Sequence, residues 1–176
     1  KLGYVTQKAV LFSGTVRDNI FFGRSAQPET EDTLSQALSL SQAAEFVSKY
    51  AEKAAHPIAQ LGRNVSGGQK QRLSIARALA RKPEILVFDD SFSALDYRTD
   101  AALREGLMKE LPEATKIIVA QRISTIRHAD CILVLDRGTA VGMGTHDELM
   151  KTCGVYREIA MSQLSAEELA EGGNAQ

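Results

Sequence analysis

A short apolar run that ends in two adjacent carboxylates is the feature that most constrains the fold. Ile85 to Phe88 are apolar throughout, and Asp89 and Asp90 follow them directly. A run of this length without polar alternation predicts a strand buried on both faces, which is typical of a parallel sheet covered by helices. The carboxyl ends of such strands are where open α/β sheets bind ligands. One acid there can hold magnesium through water and its neighbour can act on a nucleophile, whereas the plainer alternative is a polar strand end.

A pair of glycines at a predicted helix start is the second informative feature. Ser66–Gln69 reads SGGQ and runs directly into a helical pattern. A glycine inside a helix costs about 1 kcal/mol relative to alanine, so Gly67 and Gly68 need a reason. A capping box explains the serine and the glutamine of the motif but not the glycines between them. A bare helix N-terminus presents N–H groups and the positive end of the helix dipole, and the motif therefore favours phosphate binding.

Seven motifs follow one another in a fixed order along the chain. They are Tyr4–Gln7, Gly14–Ile20, Ser66–Gln69, Ile85–Asp90, Ser93–Asp96, Gln121–Thr125 and Gly144–Leu149. In this order they resemble the Q-loop, the segment after it in exporters, the signature motif, the Walker B strand, the D-loop, the switch region and the closing helix start of an ABC-type ATPase. The resemblance implies an α/β fold of the P-loop NTPase (RecA-like) type, in which a mostly parallel sheet carries an inserted helical subdomain.

The resemblance also implies roles for individual side chains in binding ATP and Mg²⁺. By their positions in the motifs, Gln7 and Asp89 would contact the metal, while Asp90 and Gln121 would act on the attacking water and the γ-phosphate. Asp96 would face a partner domain, although it is also a good N-cap for the next helix. The expected nucleotide-binding residues are Gln7, Ser66, Gly67, Gly68, Gln69, Asp89 and Asp96.

One motif of the family has no counterpart in this sequence. No G-x-x-x-x-G-K-[ST] stretch occurs, and in the family this Walker A loop lies upstream of the Q-loop. Since the sequence opens at Lys1 without a methionine, we expect the C-terminal part of a nucleotide-binding domain, incomplete at its N-terminus and inactive in isolation. No run of 18 apolar residues occurs either, so we expect this piece to be soluble and the transmembrane domain to lie elsewhere in the transporter.

The motif order predicts four segments. They are a RecA-like core with the Q-loop (1–23), a helical subdomain (24–65), the signature helix with the rest of the core (66–164) and a flexible tail (165–176). Helices are expected at 15–21, 66–81 and 96–111, with a helical pattern over 27–53 that breaks near Ser41, and strands at 2–6, 116–120, 131–135 and 139–143. Thr145 and Glu148 predict a capping box. Cys131 is expected to be buried, and His146 to be solvated at a helix start.

Two residues depart from the family pattern at the catalytic step. Asp90 stands where a hydrolysing site usually has glutamate, and Gln121 where it usually has histidine. Aspartate draws the carboxylate back by roughly 1 Å, and misplacement of that size can cost ~100-fold in rate. Glutamine can donate a hydrogen bond but cannot carry a positive charge. Two changes that serve the same step indicate a degenerate site.

The signature is intact although the catalytic residues are altered. In the family, two nucleotide-binding domains pair head to tail, and each ATP lies between one domain's phosphate loop and the other's signature. The combination resembles one half of a heterodimeric exporter of the bacterial multidrug type, at the cytoplasmic face of the membrane. Its own site would hydrolyse ATP poorly, and Ser66–Gln69 would complete the partner's site.

Two other functions remain open from the sequence. The chain could belong to a soluble ABC protein that acts on ribosomes or DNA, or it could be an interaction-only remnant. A net charge of −1 gives no electrostatic footprint for nucleic acid, so we expect no nucleic-acid partner. The exporter-like segments Gly14–Ile20, Gln121–Thr125 and Gly144–Leu149 favour transport.

Overall fold

The structure is a computed structural model that describes residues 1–23 and 28–163, in two compact units divided after Val119. The predicted tail at 165–176 therefore lies outside the described residues. The strands are β1 (Leu2–Val5), β2 (Gly14–Thr15), β3 (Pro57–Ile58), β4 (Ile85–Asp89), β5 (Thr115–Val119), β6 (Ile132–Asp136) and β7 (Thr139–Gly144). The helices are α1 (Val16–Ile20), α2 (Glu31–Leu40), α3 (Ala44–Ser48), α4 (Gly67–Leu79), α5 (Tyr97–Glu110), α6 (Ile123–Ile126), α7 (His146–Thr152) and α8 (Gly154–Gln163).

A three-stranded parallel sheet forms the centre of the first unit. Its strand order is β1-β4-β5, and Phe88 pairs with Val5 on one side and Ile118 on the other. One face of the sheet is buried beneath α4 and α5, whose Leu79 and Leu103 pack against Phe88 in a common core. The predicted parallel sheet and the α/β class are thus confirmed.

The opposite face of the same sheet is exposed, which corrects the expectation that β4 is buried on both faces. The exposed side chains are Leu2, Tyr4, Ile85, Ile117 and Val119, each between 39% and 57% accessible. Strand side chains alternate between faces, so these residues share one face while Val5, Leu86 and Phe88 share the other. In the first unit, α4 and α5 cover the second of these faces.

A helical segment lies between the first and fourth strands. Helix α2 begins after the N-cap Thr30 and ends at Leu40, and α3 follows after the left-handed Gln42, which confirms the predicted break near Ser41. The segment also includes β3, two residues that pair with β2. Its core joins residues of α1, α2 and α3 to Leu73 and Ala76 of α4.

Helix α4 connects the two cores of the first unit. Leu73 and Ala76 point into the core of the helical segment, whereas Ile75 and Leu79 point into the core beneath the sheet. Such a helix is apolar on two sides, and it therefore fixes the helical segment against the sheet. The predicted end at Pro83 holds approximately, because the helix stops at Leu79.

The second unit consists of a β-hairpin and short helices. Strands β6 and β7 are joined at Arg137 and Gly138, which both have positive φ (47° and 79°), as a tight two-residue hairpin turn requires. Ile132 and Val134 face the core formed with α7 and α8. The alternation that buries them places Cys131 outward, so the predicted burial of Cys131 is wrong.

The hairpin leads into α7, which begins as predicted. Thr145 and Glu148 form the expected capping box. His146 opens the helix, but it is half-buried and its Nδ1 lies 2.8 Å from the hydroxyl of the buried Tyr156, which corrects the expected solvation. Across residues 1–23 and 28–163, no helix combines the length and the apolar character that crossing a membrane requires.

Candidate nucleotide site

The two carboxylates of the first motif lie at the carboxyl end of β4, as expected. Asp89 is the last residue of the strand, and its Oδ2 accepts a hydrogen bond from the Tyr4 hydroxyl at 2.8 Å. Asp90 follows with φ +44° and is only 9% exposed. Left-handed backbone is uncommon for residues other than glycine, and aspartate and asparagine adopt it more readily than most. Because of the turn at Asp90, the two adjacent carboxylates have different partners: Asp89 is bonded by Tyr4 and Asp90 by Gln7.

Gln7 lies next to Asp90 rather than next to Asp89. The exposed glutamine follows β1, and its Nε2 donates a hydrogen bond to Asp90 Oδ2 at 3.2 Å. The backbone N–H of Asp90 in turn donates to the carbonyl of Val119 at 2.9 Å. The structure thus brings together a residue expected at the metal and the residue expected to act on water, through the adjacent strands β1 and β4.

The loop after β4 is held by the hydroxyls of two serines, and sequence reasoning missed one of them, Ser91. The hydroxyl of the fully buried Ser91 donates to the carbonyl of Val5 at 2.9 Å, and that of Ser93 donates to the carbonyl of Asp90 at 2.8 Å. These bonds hold the turn that carries the acids. A serine directly after two acids was the available signal, because a small hydroxyl side chain can bond neighbouring backbone.

Asp96 caps α5, as expected. Its two carboxylate oxygens accept from the backbone N–H of Thr99 at 2.9 Å and from the Thr99 hydroxyl at 2.8 Å. The backbone hydrogen bond, followed by the hydroxyl bond, lowers the pKa of Asp96 below its ordinary value. The side chain of Asp96 is exposed, so it remains accessible at the surface while it caps the helix.

The start of α4 has two satisfied and two available N–H groups. The Ser66 N–H donates to Gln69 Oε1 at 2.9 Å, and the Gln69 N–H donates to Ser66 Oγ at 3.3 Å, which is the predicted capping box. Within the part of the chain that the structure describes, no acceptor meets the N–H groups of Gly67 and Gly68. The cap thus satisfies the ends of the motif and leaves the glycine N–H groups for an anion.

Within residues 1–23 and 28–163, no atom requires a glycine at position 67. A Cβ added at Gly67 meets no atom within 4 Å, and its φ is not in the left-handed region. A Cβ at Gly68 would lie 3.4 Å from the carbonyl of Ala94, an ordinary contact. The reason for glycine at 67 therefore lies outside the residues described, as it would if a ligand approached the backbone closely.

Gln121 lies in the second unit and is exposed. Its backbone carbonyl accepts from Gln163 Nε2 at 2.8 Å, and Gln163 Oε1 accepts from the N–H of Ile123 at 2.9 Å. One side chain of α8 therefore holds both ends of the short turn between Gln121 and α6. This arrangement fixes the backbone of the predicted switch region.

The residues at the end of β4 fit a magnesium ion that is held mainly by a nucleotide. Mg²⁺ commonly takes one or two protein carboxylates and completes its shell with phosphate and water oxygens. Among the described residues, no cluster of three or more histidine, cysteine or acidic side chains forms a metal cage. Asp89, half-buried at a strand end, supplies the one carboxylate that such a site needs.

The contact of Tyr4 with Asp89 is another feature that sequence reasoning missed. The strand pattern gave its position but not its partner, because Tyr4 and Asp89 are 85 residues apart in sequence. The signal that could have found it is the pairing of two strands in parallel with their ends aligned, which places a tyrosine of one strand near the terminal acid of the next.

The main groove of the first unit is separate from these residues. Its volume is about 1000 Å³, and it lies between α2 and α5, with Gln36, Leu40 and Lys109 in its lining. None of the candidate nucleotide-binding residues lines it. That groove is therefore not part of the candidate nucleotide site.

Comparison with known proteins agrees with the motifs. A family model described as ABC transporter matches residues 1–93, more than half of the chain. An uncharacterised ABC transporter ATP-binding protein of Mycobacterium tuberculosis is 47% identical over 163 residues, which cover 92% of this chain and 28% of that protein. A protein of Rickettsia felis that carries the name export ATP-binding/permease protein is 39% identical over 164 residues, with 93% and 28% covered.

A solved structure is similar in fold over the same span. The structure of a bacterial Atm1-family ABC exporter with ATP bound has a TM-score of 0.86 and 35% identity to this chain. The match covers 92% of this chain and 28% of the exporter chain, so the present sequence spans well under a third of each of these relatives. The parallel sheet and its helices have the P-loop NTPase fold, and the chain belongs to the ABC transporter family.

Proposed function

We propose that this chain is part of the energy-coupling domain of an ABC exporter, in which ATP hydrolysis drives transport across a membrane. The observation that carries the proposal is the start of α4. Among the described residues, the Cβ position of Gly67 has open space around it, and the N–H groups of Gly67 and Gly68 meet no acceptor. A phosphate of ATP fits this site in charge and in size. The resemblance assigns that ATP to a second nucleotide-binding domain, so the site serves a partner.

The relatives support an attached transmembrane part. One of them is named as an export ATP-binding/permease protein, and the chain spans 28% of it. The transporter would hold this domain at the cytoplasmic face of the membrane. The partners that follow from the proposal are a transmembrane domain and a second nucleotide-binding domain.

An exposed aromatic pair offers a surface to the transmembrane part. Phe12 and Phe22 stack with their ring centroids 4.0 Å apart, and both side chains are at least 40% exposed. The guanidinium of Arg77 lies over both rings, 5.4 Å from the centroid of Phe12. Exposed apolar groups that are held this rigidly are typical of a contact surface.

The residues at the end of β4 have separate tasks in this proposal. Asp89 would hold Mg²⁺, which neutralises charge on the phosphates when it is bound. Asp90 would accept a proton from the attacking water, and Gln7 would orient the Asp90 carboxylate through the hydrogen bond seen at 3.2 Å. Asp90 is nearly buried, which limits its exchange with solvent.

We further propose that this domain contributes the weak half of a heterodimer. Its Asp90 is shorter than the glutamate of a hydrolysing site, and its Gln121 cannot become a cation. Its signature motif Ser66–Gln69, by contrast, is intact in sequence. The site that uses Asp90 would hydrolyse ATP slowly, and the partner's site, completed by Ser66–Gln69, would carry most turnover.

Placing the same substitution in each of the two signature motifs, one at a time, tests this asymmetry. Gly67→Asp adds bulk and negative charge where the partner's γ-phosphate is expected, and loss of one preorganised donor typically costs ~100- to 1000-fold in rate. Steady-state ATP hydrolysis of the intact transporter should nearly vanish. The equivalent change in the partner's signature, which serves the weak site, should reduce hydrolysis much less. Equal losses in the two variants would show that the sites are functionally alike.

A further inference from the structure

A tyrosine hydroxyl bonds the carboxylate at the end of β4. Parallel pairing places Tyr4 opposite Val87, and Asp89 lies two residues further along β4 on the same face of the sheet. The Tyr4 hydroxyl donates to Asp89 Oδ2 at 2.8 Å. An offset of two residues on the neighbouring strand is within reach of a long aromatic side chain but not of a short one.

Neighbouring polar side chains are engaged elsewhere. The amide of Gln7 donates to Asp90, and the hydroxyl of Ser91 donates to the carbonyl of Val5. Leu2, which shares the face and the strand of Tyr4, has no polar group to offer. The Tyr4 hydroxyl is therefore the donor that this strand presents to the Asp89 carboxylate.

The direction of this hydrogen bond follows from the two groups. A phenol hydroxyl carries a proton to donate, whereas an ionised carboxylate only accepts, so Tyr4 is the donor and Asp89 the acceptor.

A hydrogen bond to one carboxylate oxygen fixes the direction of the other. A carboxylate at a strand end rotates about two side-chain torsions, and a bond at Oδ2 restrains both. Groups that orient a metal-binding side chain in this way typically account for 10- to 100-fold in metal affinity.

We propose that Tyr4 is a positioning residue that holds the Asp89 carboxylate in the orientation required by Mg²⁺-ATP. This inference rests on the proposed function, since it takes Asp89 as the carboxylate that serves the metal. Tyr4 itself touches neither metal nor nucleotide in this role. It acts through Asp89.

The test removes only the hydroxyl, in the intact transporter. Mn²⁺ replaces Mg²⁺ as the probe, and free Mn²⁺ is measured by electron paramagnetic resonance in the presence of a non-hydrolysable ATP analogue. Tyr4→Phe should weaken Mn²⁺ affinity about tenfold, while binding of the analogue without metal stays unchanged. The matched control is Tyr50→Phe, which removes a hydroxyl from a ring stacked on His56 in the helical segment and should leave both quantities unchanged.

A third variant separates failure of this inference from failure of the proposed function. If Asp89→Asn leaves Mn²⁺ affinity unchanged, Asp89 does not serve the metal and the underlying assignment fails. If Asp89→Asn weakens the affinity but Tyr4→Phe matches the unmodified protein, the positioning role alone is overturned. Equal losses of metal-free analogue binding and Mn²⁺ affinity in Tyr4→Phe would indicate a structural role and would also overturn it.

Discussion

At the scale of single residues, backbone conformation explains why a short acid suits position 90. Asp90 has φ +44°, and the serines that follow hold its turn to the sheet. Aspartate and asparagine tolerate left-handed backbone because their short polar side chains bond locally, whereas longer side chains gain less. Under the proposed function, the residue expected to shorten the reach of the general base is therefore the same residue that suits this turn.

Asp90→Asn tests both halves of that statement. Asparagine suits the same backbone, and its amide oxygen can accept the bond from Gln7. We therefore expect the free energy of unfolding of the domain to stay within about 0.5 kcal/mol of that of the unmodified protein. Hydrolysis by the intact transporter should fall less than about tenfold, because in the proposed heterodimer the partner's site carries most turnover. The measurements are thermal unfolding and steady-state ATP hydrolysis. A loss as large as that from removing the partner's catalytic base would show that Asp90 is an effective base.

Gly67→Ala should separate stability from activity. A Cβ at this position meets open space, and alanine favours a helix over glycine by about 0.5–1 kcal/mol. The variant should therefore unfold at a slightly higher temperature, yet lose most of its ATP hydrolysis because the methyl group keeps phosphate from the backbone. Gly154→Ala is the matched control, since Gly154 also opens a helix with open space around its Cβ position. It should gain stability and keep full activity.

At the scale of secondary-structure elements, one arginine joins α4 to the segment after the Q-loop. Arg77 donates through Nε to the carbonyl of Asn19 at 2.7 Å, through Nη1 to the carbonyl of Val10 at 3.0 Å, and through Nη2 to Asn19 Oδ1 at 3.0 Å. Its planar fork also lies over Phe12 and Phe22. The side chain of Arg77 thus fixes the position of Phe12 and Phe22 relative to α4.

Arg77→Lys keeps the positive charge and removes the planar guanidinium group with its several donors. Lysine cannot reach three acceptors in this geometry, and lost hydrogen bonds to charged groups cost about 1.5–3 kcal/mol. We expect a loss of roughly 2 kcal/mol in the free energy of unfolding of the complete nucleotide-binding domain. Arg81→Lys is the control, because Arg81 donates one bond, to the carbonyl of Phe22, and should cost less than about 1 kcal/mol. Similar losses in both variants would contradict the anchoring role.

The stability of the junction between α7 and α8 should depend on pH. Burial, followed by the charge of Arg127, lowers the pKa of His146 below 6.5, while Asp147 opposes the shift and His128 adds to it. An unfolded chain binds the proton more readily than the folded one, so the stabilisation by neutral His146 is complete above about pH 6.5. It is lost as the pH falls from there through the lowered folded pKa.

Hydrogen exchange measures this dependence element by element. Protection factors of α7 and α8, corrected for intrinsic exchange, should fall as the pH is lowered from 7 toward 5. His146→Asn should lose protection at pH 7, because the contact with Tyr156 is altered, but should show little further change with pH. A pH dependence that survives in His146→Asn would assign it to another group.

Patterns of neighbouring residues predicted most helices and strands. They could not predict contacts between residues that are distant in sequence. The capping boxes at Ser66 and Thr145 depend on residues three positions apart, so the sequence contains the whole interaction. The side on which Cys131 lies depends on where β6 begins, and a shift of one residue reverses it. The bond from Tyr4 to Asp89 depends on strand pairing across 85 residues, which no local pattern encodes.

At the scale of the whole molecule, the exposed sheet face governs how this chain behaves alone. Leu2, Ile117 and Val119 present an apolar patch on a parallel sheet, and parallel sheets are normally covered on both faces. The fold could be predicted from sequence because the seven motifs occur together, in the same order, in ABC-type ATPases. They could not predict the exposed face, since a single strand pattern does not say what covers it.

The 176-residue chain in isolation should self-associate and should not hydrolyse ATP measurably. The exposed face favours association, and the sequence has no Walker A lysine to hold phosphates. Light scattering after size-exclusion chromatography and a phosphate-release assay are the measurements. Replacing Leu2, Ile117 and Val119 by threonine keeps strand propensity and should reduce association without creating activity. A monomeric chain with turnover near that of a whole transporter would refute this prediction.

The open space around the Cβ position of Gly67 has a consequence for inheritance. Folding does not depend on this glycine, so chaperones and proteases have no misfolded state by which to recognise a small substitution there. The altered chain would accumulate to normal abundance and occupy partners as readily as the normal chain. Under the proposed function, a cell that carries both copies would then assemble many inactive transporters, and such a substitution should behave as dominant rather than recessive.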